Sequence, residues 1–482
     1  MGTMKRYIAI LIFVVALPIA AAAQMRTSYF MEGSTFRTDM NPALAPTRGY
    51  INIPIIGGVS MGLNNNFLSI DNLLYPTENG LVTFMHKSVD RNDFLARLPK
   101  NNNLGISLSD QIVGFGAHTK RFFWSFGLNM KVNADVNIPK DFFALVTSLG
   151  QGTYSMKGMS VGLNSYMEAY LGAAIPIKEI ATFGFRVKGL VGVANAVANI
   201  DNTTVNVADD EVSARLSGQL TGCCAAVNGN LPEGEAVEMG EIIATEIVLD
   251  DLLSNMGNGG VAVDLGAEVR LLNENLRISA AVTDLGFISW KESAVVRGEF
   301  GGSVSYEGVD LETMEPKISQ EELQFLGAGS QGGYLQRLNC SVNVGAEYAI
   351  LRNHISFGLL SHTQFFRSCA FSELTASVNF RPANWFSATV SHTFLNKNQP
   401  GVFGFGLNLH PAGLNIFLGA DFIDLKFAQM NSEALDATLL LPVRQRSVNL
   451  NFGLGFSLGR AKYSSAYKAD IARKQAKKAA IK

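Results

Sequence analysis

Phe122-Phe123-Trp124-Ser125-Phe126-Gly127-Leu128-Asn129-Met130-Lys131-Val132-Asn133-Ala134-Asp135-Val136-Asn137-Ile138 is the stretch that decides the fold. Every second residue from Phe122 is apolar, ending at Val136 and Ile138. From Ser125 onward every residue between them is polar or glycine. Side chains alternate across a strand, so one face meets apolar surroundings and the other meets water. A strand of a soluble domain runs to about five or six residues, and a strand crossing a bilayer needs about 9–11. This segment exceeds both without losing phase, which predicts an all-β, transmembrane antiparallel β-barrel.

The composition agrees. The 482 residues are 47% hydrophobic and only 17% charged, with 47 Gly and 31 Phe. Mean hydropathy is +0.16, too low for a bundle of membrane helices. Lys5 and Arg6 precede the apolar run Tyr7 to Ala20, and Ala21 to Ala23 supply small residues. That order predicts a signal peptide over residues 1–23, cleaved after Ala23, and hence export to the outer membrane of a Gram-negative cell. A net charge of −2 gives no footing for nucleic acid. Cys223, Cys224, Cys340 and Cys369 have neither zinc-site nor CxxC spacing, and no metal or cofactor is expected.

Outward from the key stretch the same alternation recurs. Ile51, Ile53, Ile55, Val59, Met61 and Leu63 share one row; Asn52, Ser60 and Asn64 share the other. Further strands read at about 104–117, 161–175, 183–193, 261–269 and 276–282, and later ones begin near Leu338, Ile355, Phe371, Phe386, Val402, Leu414 and Val448. That makes about 14 strands. Six connections are short and seven are mostly long, in alternation, as outer-membrane barrels require. Residues 203–219 and 294–306 alternate more weakly and read as extra strands or hairpins above the membrane. Residues 233–256 read as an acidic loop helix. The domains expected are a signal peptide (1–23), an N-terminal plug (24–49), the barrel (50–460) and a basic periplasmic tail (461–482). Trp124 and Trp385 are expected at the inner interface and Trp290 at the outer one, forming aromatic girdles.

The polar rows carry charges of both signs: Lys131, Asp135, Glu168, Arg186, Lys188, Asp264, Glu268 and Arg270. A cation at mid-bilayer on the lipid face costs about 2–4 kcal/mol, so these residues belong to the lumen. There they either line a polar path or pair with each other and the plug; the pairing is favoured because opposite charges one strand apart attract. Ser361-His362 and Ser391-His392 are the candidates for Ser–His chemistry, but neighbours on a strand point to opposite faces, and no catalytic residue is expected.

Asn41-Pro42-Ala43 ahead of the first strand, followed by about fourteen strands, resembles the long-chain fatty acid transporter superfamily of outer-membrane barrels. Asn41 to Pro46 with Tyr50-Ile51-Asn52-Ile53-Pro54, Val263 to Glu268, and Asp284-Leu285-Gly286-Phe287-Ile288-Ser289-Trp290 look like an uncharacterised family of such barrels. The resemblance implies that the Asn41-Pro42-Ala43 segment plugs the barrel and that apolar or amphipathic small molecules leave sideways through its wall. A monomer in outer-membrane lipid is expected. The alternative is a closed structural barrel that docks other envelope or secretion proteins.

Overall fold

The computed structural model describes residues 26–459, apart from 68, 78–79, 149–151, 179, 202, 208–211, 225–235, 238–257, 310–315, 328–331, 367–369, 384, 396–400, 425–426, 433–436 and 443–446. The signal-peptide and basic-tail expectations therefore lie outside the described residues. So does the acidic-helix expectation, except at Ala236–Val237, which form a short strand against Phe325 and Leu326.

Fourteen antiparallel strands close into a barrel. They are β1 (Gly49–Asn52 and Val59–Asn65), β2 (Asn101–His118), β3 (Phe123–Pro139), β4 (Met159–Ile177), β5 (Ala181–Ile200), β6 (Gly259–Leu271) and β7 (Leu276–Trp290). Then follow β8 (Cys340–Ile350), β9 (Ile355–Phe365), β10 (Ala370–Ala383), β11 (Phe386–Phe394), β12 (Val402–Leu409), β13 (Leu414–Ile423) and β14 (Val448–Leu458). Neighbours in sequence pair throughout, and β14 pairs with β1 to complete the ring. Among the described residues no helix is long and apolar enough to cross a membrane.

The alternation sets which side of the wall is wet. Phe126, Leu171, Val187 and Leu265 are exposed on the outside, where lipid covers them, whereas Asn129, Glu168, Lys188 and Asp264 are buried inside. The short turns tighten through residues in the left-handed region: Lys178, Leu272 to Glu274, and Leu351 to Asn353 all have positive φ. At the opposite end, the strand Val212–Cys224 pairs with the outer part of β5 and with Val295–Val309, which pairs in turn with Pro316–Gly327. The two weakly alternating regions are thus hairpins beyond the wall, not members of it.

Two irregularities shape the lumen. The first is the break in β1 at Pro54, where Ile55 takes φ +71°. Below the break Tyr50 and Ile51 pair with Gly116 and Phe115 of β2; above it, ladder pairing resumes only at Asn64↔Gly105. Between them one backbone bond, from Gln111 N to Gly58 O at 2.9 Å, holds the two strands. The second irregularity is a bulge at Asp284, φ +58°, opposite the shift between Val263 and Leu265. It turns Thr283 and Asp284 both inward and reverses the phase of β7 beyond them. Trp290 is consequently not a girdle residue. It is 1% exposed, packs with Tyr166, Leu190 and Ile288, and donates Nε1–H to Gln336 Oε1 at 2.9 Å.

Candidate functional site

Residues 26–48 run through the lumen before the wall begins. Arg26 pairs with Glu373 near the outer end of β10, and Thr27 bonds Asp421 near the outer end of β13. The chain then descends past Phe30, whose carbonyl accepts from Arg381 Nη2 at 2.6 Å, to Glu32 and on to Gly49 at the inner rim. Glu32 pairs with Arg277 and accepts from Asn353 Nδ2 at 3.0 Å. Arg277 and Arg381 also share Glu347, at 3.7 and 2.6 Å. Burial alone would raise the pKa of Glu32, but Arg277, Arg381 and Arg37 outweigh it and hold the carboxyl below the usual range. Nearby, burial together with Arg48 pulls the His410 imidazole down from 6.5 to about 4. The chain at Gly33 passes so close that a Cβ there would stand 2.7 Å from His410 Nε2.

Asn41-Pro42-Ala43 sits in a notch made by two glycines. Gly184 of β5 and Gly266 of β6 are cross-strand partners on the lumen side. A Cβ on Gly184 would lie 2.2 Å from Ala43 N, and one on Gly266 would lie 2.1 Å from Asn41 Oδ1. Only a side chain without Cβ lets the two backbones meet there. Asn41 is fully buried and closes its own turn: its Oδ1 accepts from Ala43 N at 2.9 Å and its Nδ2 donates to Tyr29 Oη at 3.1 Å.

The eight lumen charges divide into four settings. Lys131, Glu168, Lys188 and Asp264 gather in one cluster around Asp284, a position that strict alternation from Leu276 would put on the lipid row. Lys188 Nζ lies 2.8 Å from Asp264 Oδ2 and 2.6 Å from Asp284 Oδ1; Lys131 Nζ lies 3.0 Å from Glu168 and 3.2 Å from Asp284. Asp264 Oδ1 accepts from Asp284 N at 2.7 Å, so the bulge and the cluster are one construction. Arg186 stands apart: it pairs with Asp39 of the plug at 2.8 Å, donates to Thr38 Oγ1 at 2.5 Å and lies 4.4 Å over the Tyr170 ring. Glu268 and Arg270 pair along β6 at 2.6 Å, toward the inner end. Asp135, toward the outer end of β3, is exposed and does not enter the cluster.

A narrow recess of about 90 Å³, open to solvent on one side, lies between the plug and the cluster. Its lining includes Asp39 and Phe36 of the plug, Lys131 and Glu168 of the cluster, and Gly58 and Gln111 at the break in β1. The Ser–His pairs face opposite ways, as strand geometry demands: His362 is buried with Nδ1 2.6 Å from Asn343 Oδ1 while Ser361 is exposed. Ser391 is turned inward to Thr27 Oγ1 at 2.6 Å, whereas His392 packs between Phe394 and Phe403. Among the described residues no group of His, Cys, Asp and Glu is arranged to hold a metal ion.

These features define a plugged membrane β-barrel. Residues 42–421 match the family of unknown function DUF5723, and the chain belongs to that family. No curated protein matches the sequence. Among solved structures the chain is similar to the Ralstonia pickettii toluene transporter TbuX, at 8% identity and TM-score 0.41, with 92% of this chain and 99% of that one covered. It is similar also to a Pseudomonas aeruginosa FadL homologue, at 9% identity and TM-score 0.41, covering 92% and 97%. The translocator domain of the Neisseria meningitidis autotransporter NalP matches at 7% identity and TM-score 0.30, covering 86% and 89%.

Proposed function

We propose that this barrel resides in the outer membrane, admits small amphipathic or apolar molecules to the lumen recess, and releases them sideways between β1 and β2. The observation that carries the reading is the coincidence of two features: the wall ladder lapses over residues 59–63, and the recess reaches that lapse at Gly58, Ser60, Leu108 and Gln111. In that gap the two strands are tied by few bonds, so parting them costs little of the wall. Residues 26–48 then act as the plug that keeps the lumen shut to bulk solutes.

The test is a covalent clasp. The register set by Gln111–Gly58 and Asn64–Gly105 puts Ser60 opposite Ser109. In proteoliposomes the oxidised Ser60→Cys/Ser109→Cys variant should take up a fluorescent fatty acid analogue at least tenfold more slowly, with recovery on reduction. Deleting residues 25–48 should change the rate as well. Uptake indifferent to both changes would sink the reading.

A closed scaffold for envelope partners is the second reading. The three ion-paired anchors of the plug, at Arg26, Glu32 and Asp39, favour it. One stoichiometric partner recovered by crosslinking intact cells, with no solute uptake, would select it.

A further inference from the structure

One carboxyl stands on the lipid side of the wall. In β2, Asp110 pairs with Met130 as Leu108 pairs with Val132, so both belong to the outward row, just before the register shift between Gln111 and Val113. Ile106, Leu108 and Val113 of the same row are 37%, 37% and 40% exposed. Apolar residues thus flank Asp110 along the strand on both sides, which sets it within the hydrocarbon band rather than at either head-group surface. Among the described residues no charge and no hydrogen-bond donor acts on this side chain. The residue keeps part of its surface open, and on the outward row that surface faces lipid. An ionisable group in such a place costs stability and marks a functional contact with a partner.

Its position says where the partner comes from. The register set by Gln111–Gly58 and Asn64–Gly105 puts Val59 opposite Asp110, inside the lapse of the β1–β2 ladder. The luminal side of that lapse opens on the recess at Ser60, Ser109 and Gln111. On the lipid side an apolar groove of about 570 Å³ begins at Val59 and crosses β14, β13 and β12 to β11, over Phe452, Leu418, Phe405 and Val390. A polar anchor and an apolar trough therefore meet where the sideways route reaches lipid.

Charge decides the kind of head. The cations lining the recess are Lys131, Lys188 and Arg186. The two lysines meet three carboxylates, Glu168, Asp264 and Asp284, and Arg186 is engaged by Asp39. A carboxylate head would find no spare cation in the recess and a second carboxyl at the exit. An ammonium head donates to that carboxyl and neutralises it.

We propose, resting on the passage reading above, that Asp110 is the head-group station of the sideways exit and selects amphiphiles with an ammonium head, whose tail lies in the groove that begins at Val59.

Three ten-carbon probes test this by calorimetry on the full barrel in phosphatidylcholine nanodiscs, with empty nanodiscs subtracted: decylammonium, decanoate and decanol. Decylammonium should bind at least tenfold more tightly than the other two. Asp110→Asn, which keeps the size and takes a charge off the lipid row, should cost decylammonium at least tenfold and leave decanol unchanged. Ala420→Trp, which fills the groove away from the carboxyl, should weaken decylammonium several-fold. Equal binding of decylammonium and decanoate, no binding of any probe, or full decylammonium affinity in either variant would overturn the proposal. The Ser60→Cys/Ser109→Cys clasp reports separately on sideways passage, so a responsive clasp without an ammonium preference would overturn this inference and leave that reading standing.

Discussion

Replacing Gly184 or Gly266 by alanine should unseat Asn41-Pro42-Ala43 while leaving the barrel closed. The added Cβ would fall 2.2 Å from Ala43 N in one case and 2.1 Å from Asn41 Oδ1 in the other. At Gly184 the obstacle is backbone, which cannot rotate aside, so the plug must move. Overpacking of this kind costs about 1–3 kcal/mol, which lowers the docked-to-withdrawn ratio of the plug by roughly 5- to 150-fold. The two positions are cross-strand partners and touch the same turn, so the double variant should cost less than the sum. Hydrogen exchange of residues 27–45 in nanodiscs reads the effect directly, as faster exchange over that span alone. Gly189→Ala is the control on the same strand, because its Cβ would meet nothing nearer than 4.0 Å. Closure of the barrel is checked by heat-modifiable migration on gels. Wild-type protection of the plug in both single variants and in the double would refute the reading of this notch as the seat.

Lys188→Met should lower barrel stability by about 3–5 kcal/mol, read as unfolding in detergent, because Asp264 loses its cation and Asp284 keeps only Lys131. Adding Asp264→Leu should restore part of the loss. Asn41→Ala should cost about 1–3 kcal/mol of plug docking, since Ala43 N and Tyr29 Oη each lose a buried partner. Acid should loosen the plug in two stages of the same sign. His410 stays neutral in place down to about 4, so its hydrated form gains a proton first as pH falls below 6.5 and docking weakens to about pH 4. Glu32, whose carboxyl is held below its usual 4.5, contributes fully above that value and loses its contribution as pH falls further. His410→Gln should remove the first stage only, measured as plug exchange at pH 7, 5 and 4.

The wall was legible because lipid enforces it: a polar side chain on the outer row has no water to bond, so alternation marks the strands wherever no bulge or break interrupts them. The rationing of short turns fixed the polarity for the same reason. What escaped was anything that depends on a break in phase. Counted from Leu276, Asp284 falls on the apolar row, and Trp290 with it; the bulge returns both to the lumen. The signal was present, for a buried carboxylate placed on a lipid row followed by Leu285 and Phe287 on the polar row marks an inserted residue. The anchors of the plug were hidden differently. Arg26, Glu32 and Asp39 lie in a stretch without period, and their partners Glu373, Arg277 and Arg186 are far away in sequence, so only the closed ring brings them together. The glycine notch could have been suspected from Gly184 and Gly266 on lumen rows, but not matched to Asn41 without the register of β5 against β6.

The stopper and the weakest panel of the cylinder belong to a single uninterrupted thread. Gly49, where the luminal segment ends, is already the first residue of β1, and the lapse in hydrogen bonding begins a few residues later. With no linker to absorb slack, a downward tug on the stopper is transmitted as tension on that panel. On the sideways route proposed above, unblocking the bore and loosening the side of the vessel would then be mechanically one event.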